Sequence, residues 1–263
     1  MGTRIIENGL SDDSNADAFI TSDLIITGAV IWVDSVNGSA GGAGTFEDPV
    51  DDIAQAIANA TADNGDIVIL KENHSETLTG SVSFSKAGMK FFGLGSGATR
   101  PSFTCNAAID LFSLDAVGIE INGFYFPAGT TTPNTSRINV AAAGCKIKDC
   151  TFLCGANDPD TITIPDAGDY CNIDSCTFTV SADGPNKGIS IEAAAVAGLI
   201  IQNCSFDGDD YGWDDAAIYS AVAHLNWIYA NNTLTNGSDI LHTAAAKGYL
   251  YGTVAGDECQ VTV

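Results

Sequence analysis

Cys145-Lys146-Ile147-Lys148-Asp149-Cys150-Thr151-Phe152 returns 26 residues later as Cys171-Asn172-Ile173-Asp174-Ser175-Cys176-Thr177-Phe178. The same pattern is written before them as Ile119-Glu120-Ile121-Asn122-Gly123-Phe124-Tyr125-Phe126. It is written after them as Leu199-Ile200-Ile201-Gln202-Asn203-Cys204-Ser205-Phe206 and Trp227-Ile228-Tyr229-Ala230-Asn231-Asn232-Thr233-Leu234. A weaker copy lies upstream at Met89-Lys90-Phe91-Phe92-Gly93-Leu94. The starts of successive copies are 30, 26, 26, 28 and 28 residues apart. A period of this size marks a solenoid.

The pattern has a direct physical reading. Its first and third positions are apolar or Cys, the spacing of side chains that share one face of a strand. The fifth position is Gly93, Gly123, Asp149, Ser175, Asn203 or Asn231, mostly residue types that tolerate a left-handed backbone. The sixth and eighth positions are again apolar, Cys or, once, Asn. Strand, bend and strand, repeated every 26–30 residues, predict a parallel β-helix. Its coils stack about 4.8 Å apart, so like residues form ladders.

Working outward, composition limits the alternatives. The chain has 263 residues, 45% of them apolar, with 28 Gly and only 16% charged residues. The repeat occupies too much of this length to leave room for a second independent core. The net charge is −23, from 33 acidic residues against 10 Lys and Arg. Such a surface argues against nucleic acid, whose phosphates need neutralising, and against an anionic membrane. No apolar leader follows the polar start at Met1, and no run is long enough to span a bilayer. Synthesis and assembly in the cytoplasm are the expectation.

The eight cysteines show no zinc spacing. Cys150, Cys176 and Cys204 share one repeat position, and Cys145 and Cys171 share another. Buried, reduced packing ladders are expected. Residues 1–31 do not match the repeat and read as an extended arm, with Ile25 and Ile26 as contact candidates. Residues 32–66 read as a capping loop and helix, and 67–263 as the β-helix domain. In the Gly-rich loop 34–48 the Walker spacing and its Lys are absent, so it is not a phosphate cradle. A helix is predicted from Pro49 to Ala62, capped by Asp48, with Ile53, Ala56, Ile57 and Ala60 on one stripe. It would cap the open N-terminal end of the core.

This order is specific: Trp32-Val33-Asp34, a Gly-rich loop, Pro49, an Ala-rich helix, Gly65-Asp66-Ile67-Val68-Ile69-Leu70, then Met89-Lys90-Phe91-Phe92-Gly93-Leu94-Gly95. It resembles pectate-lyase-like right-handed parallel β-helix proteins over residues 30–235. More narrowly, it resembles the compact β-helix virion structural proteins of tailed bacteriophages, of the capsid decoration type. The resemblance implies an all-β fold, a single-stranded right-handed parallel β-helix of about seven coils with an N-terminal capping α-helix. It also implies a virion location, the major capsid protein or another virion protein as partner, and a homo-oligomer, with trimers typical of phage β-helices.

Enzymes of this fold need a groove-facing base or an acid cluster, and the sequence supplies little of either. Arg4, Arg100 and Arg137 read as arm and loop residues, and His74, His224 and His242 share no register. One cluster remains, Asp207-Gly208-Asp209-Asp210-Tyr211-Gly212-Trp213-Asp214-Asp215. Three readings stay open for it: a plain loop or subunit contact, a cation site, and a sugar or catalytic site. Asp207, Asp209, Asp210, Asp214 and Asp215 are the candidate ligands, with Ca2+ the implied ion. The calcium-loop pattern fails at its fifth position, Tyr211, and its twelfth, Ile218. Otherwise no cofactor is expected. Tyr211, Trp213, Tyr249, Tyr251, Val261 and Val263 are the remaining interface candidates. The sequence therefore points to a non-enzymatic phage structural protein, with a tailspike-type polysaccharide-binding or depolymerising protein as the alternative.

Overall fold

The computed structural model describes residues 28–128, 135–155, 160–182, 185–192, 196–220, 225–242, 247–255 and 261–262. The chain is a parallel β-solenoid built from three sheets. Sheet 1 has nine strands, from Val30–Val33 and Ile67–Leu70 through Lys146–Lys148 to Lys247–Tyr251. Sheet 2 has eight, from Ser75–Leu78 through Thr151–Cys154 to Val254–Ala255. Sheet 3 has eight, from Val82–Ser83 through Asp160–Ile164 to Val261–Thr262. The chain visits sheets 1, 2 and 3 in turn and then returns one rung higher. The eight strands of each shorter sheet are close to the expected number of coils.

The repeat dictates the core. Its third position stacks Ile121, Ile147, Ile173 and Ile201 in register, all fully buried. Its eighth position stacks Phe126, Phe152, Phe178 and Phe206, with ring centroids 4.8, 4.8 and 4.6 Å apart and nearly parallel planes. Stacking at the rung spacing follows from in-register parallel pairing. Seven cysteines among the described residues are buried and form no disulfide. Burial pushes the Cys145 thiol up to about 11 and raises Cys171 further, so neither is a thiolate at neutral pH. The Cys150–Cys176–Cys204 position ends at Asn232. Its amide accepts from the Cys204 N–H (2.9 Å) and donates to the Ile201 carbonyl (3.0 Å), which satisfies a polar side chain deep in the core.

The bends carry the predicted conformation, with one correction. Gly123, Asp149, Ser175, Asn203 and Asn231 have φ of 79°, 46°, 56°, 55° and 54°. Gly93 does not join them. Its strand leads into a longer connection before Ser102, and it is Gly for another reason. A Cβ there would lie 2.6 Å from the Gly123 carbonyl oxygen. A second left-handed ladder stands one residue before each copy, at Gly88, Gly118, Gly144, Tyr170, Gly198 and Asn226. These residues turn the chain from sheet 3 back to sheet 1. A left-handed residue with a Cβ costs roughly 1–2 kcal/mol, so Tyr170 is the costly member.

The N-terminal cap is shorter than predicted. The helix spans Ile53–Asn59, and Asp52 rather than Asp48 caps it, accepting from the Gln55 N–H at 2.7 Å. Pro49 and Val50 are held extended instead, because Val50 exchanges backbone bonds with Trp32 and Asp34 (3.0 and 2.9 Å). Ile53, Ala56 and Ile57 are buried as the stripe requires. Glu76 accepts from the Ile53 N–H at 2.8 Å and from the His74 ring at 2.7 Å, which ties the helix start to the first coil. Val30–Val33 pairs with Ile67–Leu70, so sheet 1 begins before the loop and helix. Phe46 folds the Gly-rich loop back over Trp32, edge to face at 5.0 Å, beneath the Lys71 ammonium.

The Phe ladder sets the stability of the middle coils. Phe178→Ala removes a ring stacked on both sides and is expected to cost about 3–5 kcal/mol, read as a lower denaturant midpoint in a single unfolding transition. A loss under about 1 kcal/mol would show that the ladder is not the core of these coils.

Candidate functional site

The first, third, sixth and eighth positions of the repeat turn inward and the fifth makes the bend, so side chains that can meet a partner lie on the outer faces. An open groove of about 570 Å³ lies on sheet 3. Its lining includes Asp110, Asn139, Asp160, Thr163, Lys187 and Glu192. Strand register brings these together, because Asp110, Ser136, Asp160 and Lys187 align on successive rungs. Asn139, Thr163 and Ser190 align beside them.

Charges in the groove are unbalanced. The Lys187 ammonium lies 3.3 Å from both Asp160 oxygens and 3.6 Å from Asp215, over the Tyr219 ring. Asp110 accepts from the Ser136 hydroxyl at 2.7 Å. Burial raises the Asp160 pKa, and the attraction of Lys187 does not fully offset it. Glu192 is exposed at the rim of the groove, and partial desolvation, helped by the nearby charges of Asp160 and Asp110, raises its pKa as well. Such a groove can hydrogen-bond hydroxyl-rich groups or accept cationic ones.

Sequence reasoning missed this site, since its residues fall between copies of the repeat. A signal was present: Asp110, Asp160 and Lys187 each stand two residues before a buried ladder residue, Phe112, Ile162 and Ile189.

The predicted acidic loop is arranged differently. Burial would raise Asp207, but bonds from the Asn236 amide, the Asp209 N–H and the Thr235 hydroxyl outweigh it and lower its pKa. That carboxylate shapes its own turn. Asp215 reaches Lys187 in the groove instead. Asp209, Asp210 and Asp214 are exposed. Among the described residues, no group of three or more His, Cys, Asp or Glu is placed to hold a metal ion.

Trp213 is corrected from a surface contact to a core residue. It is 8% exposed, and its indole N–H donates to the Ser238 hydroxyl at 3.1 Å. Tyr211 is exposed. Tyr249 and Tyr251 are 72% and 58% exposed on the last strand of sheet 1. Val261 belongs to a strand paired with Ile240. Ile25, Ile26 and Val263 lie outside the described residues.

Arg137 is also corrected. It sits in the strand Ser136–Asn139 and is buried, not in a loop. Arg100 pairs with Asp149 at 2.9 Å, near the first bend ladder. His74 is buried in the N-terminal cap.

No family model matches the chain, and no curated protein matches it. Among solved structures it is similar to the pectate lyase Pel9A, at 13% identity and a TM-score of 0.54, covering 86% of this chain and 63% of that one. It is also similar to a rhamnogalacturonan lyase, at 12% identity and a TM-score of 0.49, covering 81% and 75% of the two chains. A further likeness is to ORF18 of Geobacillus virus E2, at 12% identity and a TM-score of 0.42, covering 72% and 46%. The chain thus spans less than two thirds of the pectate lyase's length. At this identity the pectate lyase likeness speaks for the parallel β-helix fold alone.

Two carboxyls that hold protons more tightly when folded disfavour the folded state once both are ionised. Their penalty is relieved as pH falls through their raised values. Glu192→Gln is therefore expected to raise the denaturation midpoint at pH 7, with the advantage gone below about pH 4. Equal midpoints at pH 7 would mean that the groove's charges are already balanced.

Proposed function

We propose that this protein is a non-enzymatic structural component of a bacteriophage particle, a capsid decoration or stabilising protein. It binds the major capsid protein or another virion protein and self-associates as a trimer. The observation that carries this reading is that the inward positions of the repeat, Asn232 apart, are used for stacking and every fifth position, Gly93 apart, for bending. The resulting body is stiff and presents its surface features at fixed heights. The N-terminal order of motifs, from Trp32-Val33-Asp34 to Gly95, supports the virion part. Quantitative mass spectrometry of purified particles tests it. Hundreds of copies per particle are expected. A handful at the tail, or none, would overturn the decoration reading.

A second reading has one observation in its favour. The sheet 3 groove, with Asp110, Asp160 and Glu192 around Lys187, suits a tailspike-type protein that binds or depolymerises a polysaccharide. Glycoside cleavage needs two carboxyls with separated proton affinities. Incubation with the host's surface polysaccharide decides this one. New chain ends that are lost in Glu192→Gln would favour it, and an intact polymer that does not co-sediment with the protein would remove it.

A further inference from the structure

The turn from sheet 3 to sheet 1 repeats a left-handed residue at Gly88, Gly118, Gly144, Gly198 and Asn226, and once uses Tyr170 (φ 56°). A bulky aromatic residue is strained there, and strain of this kind persists where something depends on it. The core does not depend on it, because Tyr170 is 67% exposed. The next rung is adapted to it. A Cβ on Gly198 would lie 2.3 Å from the Tyr170 ring, so Gly198 leaves room for that ring. Val117, one rung pair earlier and beside Gly118, is also exposed. The corner therefore displays an apolar residue and a strained aromatic one.

The faces that meet at this corner are unlike in charge. Cations are scarce, 10 Lys and Arg against 33 acids. Three of the lysines, Lys90, Lys146 and Lys148, lie on sheet 1 strands. Each alternates with an inward, buried residue, Phe91 or Ile147, and so belongs to the outer face. Glu120 and Asp174 share that face, and Lys148 pairs with Glu120 at 3.4 Å, which leaves Lys146 as its exposed cation. Farther along that face, Ile200, Ile228 and Tyr249 align in one column, with Tyr251 in the next. Across the corner, the sheet 3 groove holds Asp110, Asp160, Asp215 and Glu192 around a single Lys187.

We propose that this corner is the edge along which the protein associates with a second copy of itself. The sheet 1 face of one copy, with Lys146, seats against the sheet 3 groove of the next, beside Tyr170. The inference rests on the reading of the protein as self-associating and adds the surface. Charge complementarity identifies the occupant: the groove sets four acids against the one Lys187, and the adjacent face of another copy offers the exposed Lys146. A contact between two different faces is heterologous, and it closes into a ring when the rotation allows. Two adjacent faces of a three-sided body meet that condition around an axis along their shared corner.

Sedimentation equilibrium of the full chain tests the proposal with five proteins. They are the wild type, Lys146→Glu, Glu192→Lys, the double charge reversal, and Tyr170→Gly. Each single reversal is expected to weaken association about tenfold, with the double reversal recovering most of it. Tyr170→Gly is expected to weaken association while its thermal midpoint does not fall, which a merely structural tyrosine would not do. If the wild type associates and none of the variants weakens it, the surface is wrong and the self-association reading stands. If the wild type is monomeric at every concentration reached, self-association itself fails and takes this surface with it.

Discussion

In-register parallel stacking is the constraint on which the whole molecule depends. A single coil is too thin to bury its own apolar side chains. It is stable only between neighbours that present the same side chain at the same place. That is why isoleucine sits on isoleucine from Ile121 to Ile201, and phenylalanine on phenylalanine from Phe126 to Phe206. The same rule makes substitutions near the axis of the stack cooperative, since each residue has partners above and below. It also explains Asn232. Where the cysteine position gives way to a polar side chain, that side chain replaces missing stacking with two hydrogen bonds to the rung before it.

Stacking leaves two kinds of residue with freedom. The first are the bend residues, fixed in backbone shape but free in side chain where Cβ is tolerated. Most bends use that freedom conservatively, with Gly, Asn, Asp or Ser. Tyr170 departs from this and stands at the corner between the sheet 1 face that carries Lys146 and the acidic groove. The second are the outward residues of the strands, fixed in position but free in chemistry. Register carries them into columns, which is how acids far apart in sequence come to line one groove. A solenoid thus converts sequence period into surface pattern, and its function belongs to those patterns.

The core was almost wholly legible in the sequence, because a ladder must repeat in order to exist. The first bend ladder was legible for the same reason, apart from Gly93, where a longer connection replaces the sharp turn. The second bend ladder was equally periodic but lay one residue outside the pattern being compared. The helix was placed too early, because Pro49 and Asp48 are good helix starters locally while Val50 is claimed by strand pairing with Trp32 and Asp34. The groove was least legible. It depends on which outward residues share a column, and outward residues need not repeat. Trp213 misled for a related reason: an aromatic among acids looks like a surface residue until the burial of its ring and the Ser238 hydroxyl are seen.

The central claim is that the repeat builds and the outer faces act. A substitution scan that reads folded yield and incorporation into particles in parallel tests it most directly. Inward ladder positions such as Ile147, Phe152 and Cys176 are expected to lose both readouts together. Outward positions around Tyr170 and the sheet 3 groove are expected to lose incorporation while folding normally. An inward ladder variant that folds at wild-type yield yet fails to incorporate would contradict the account.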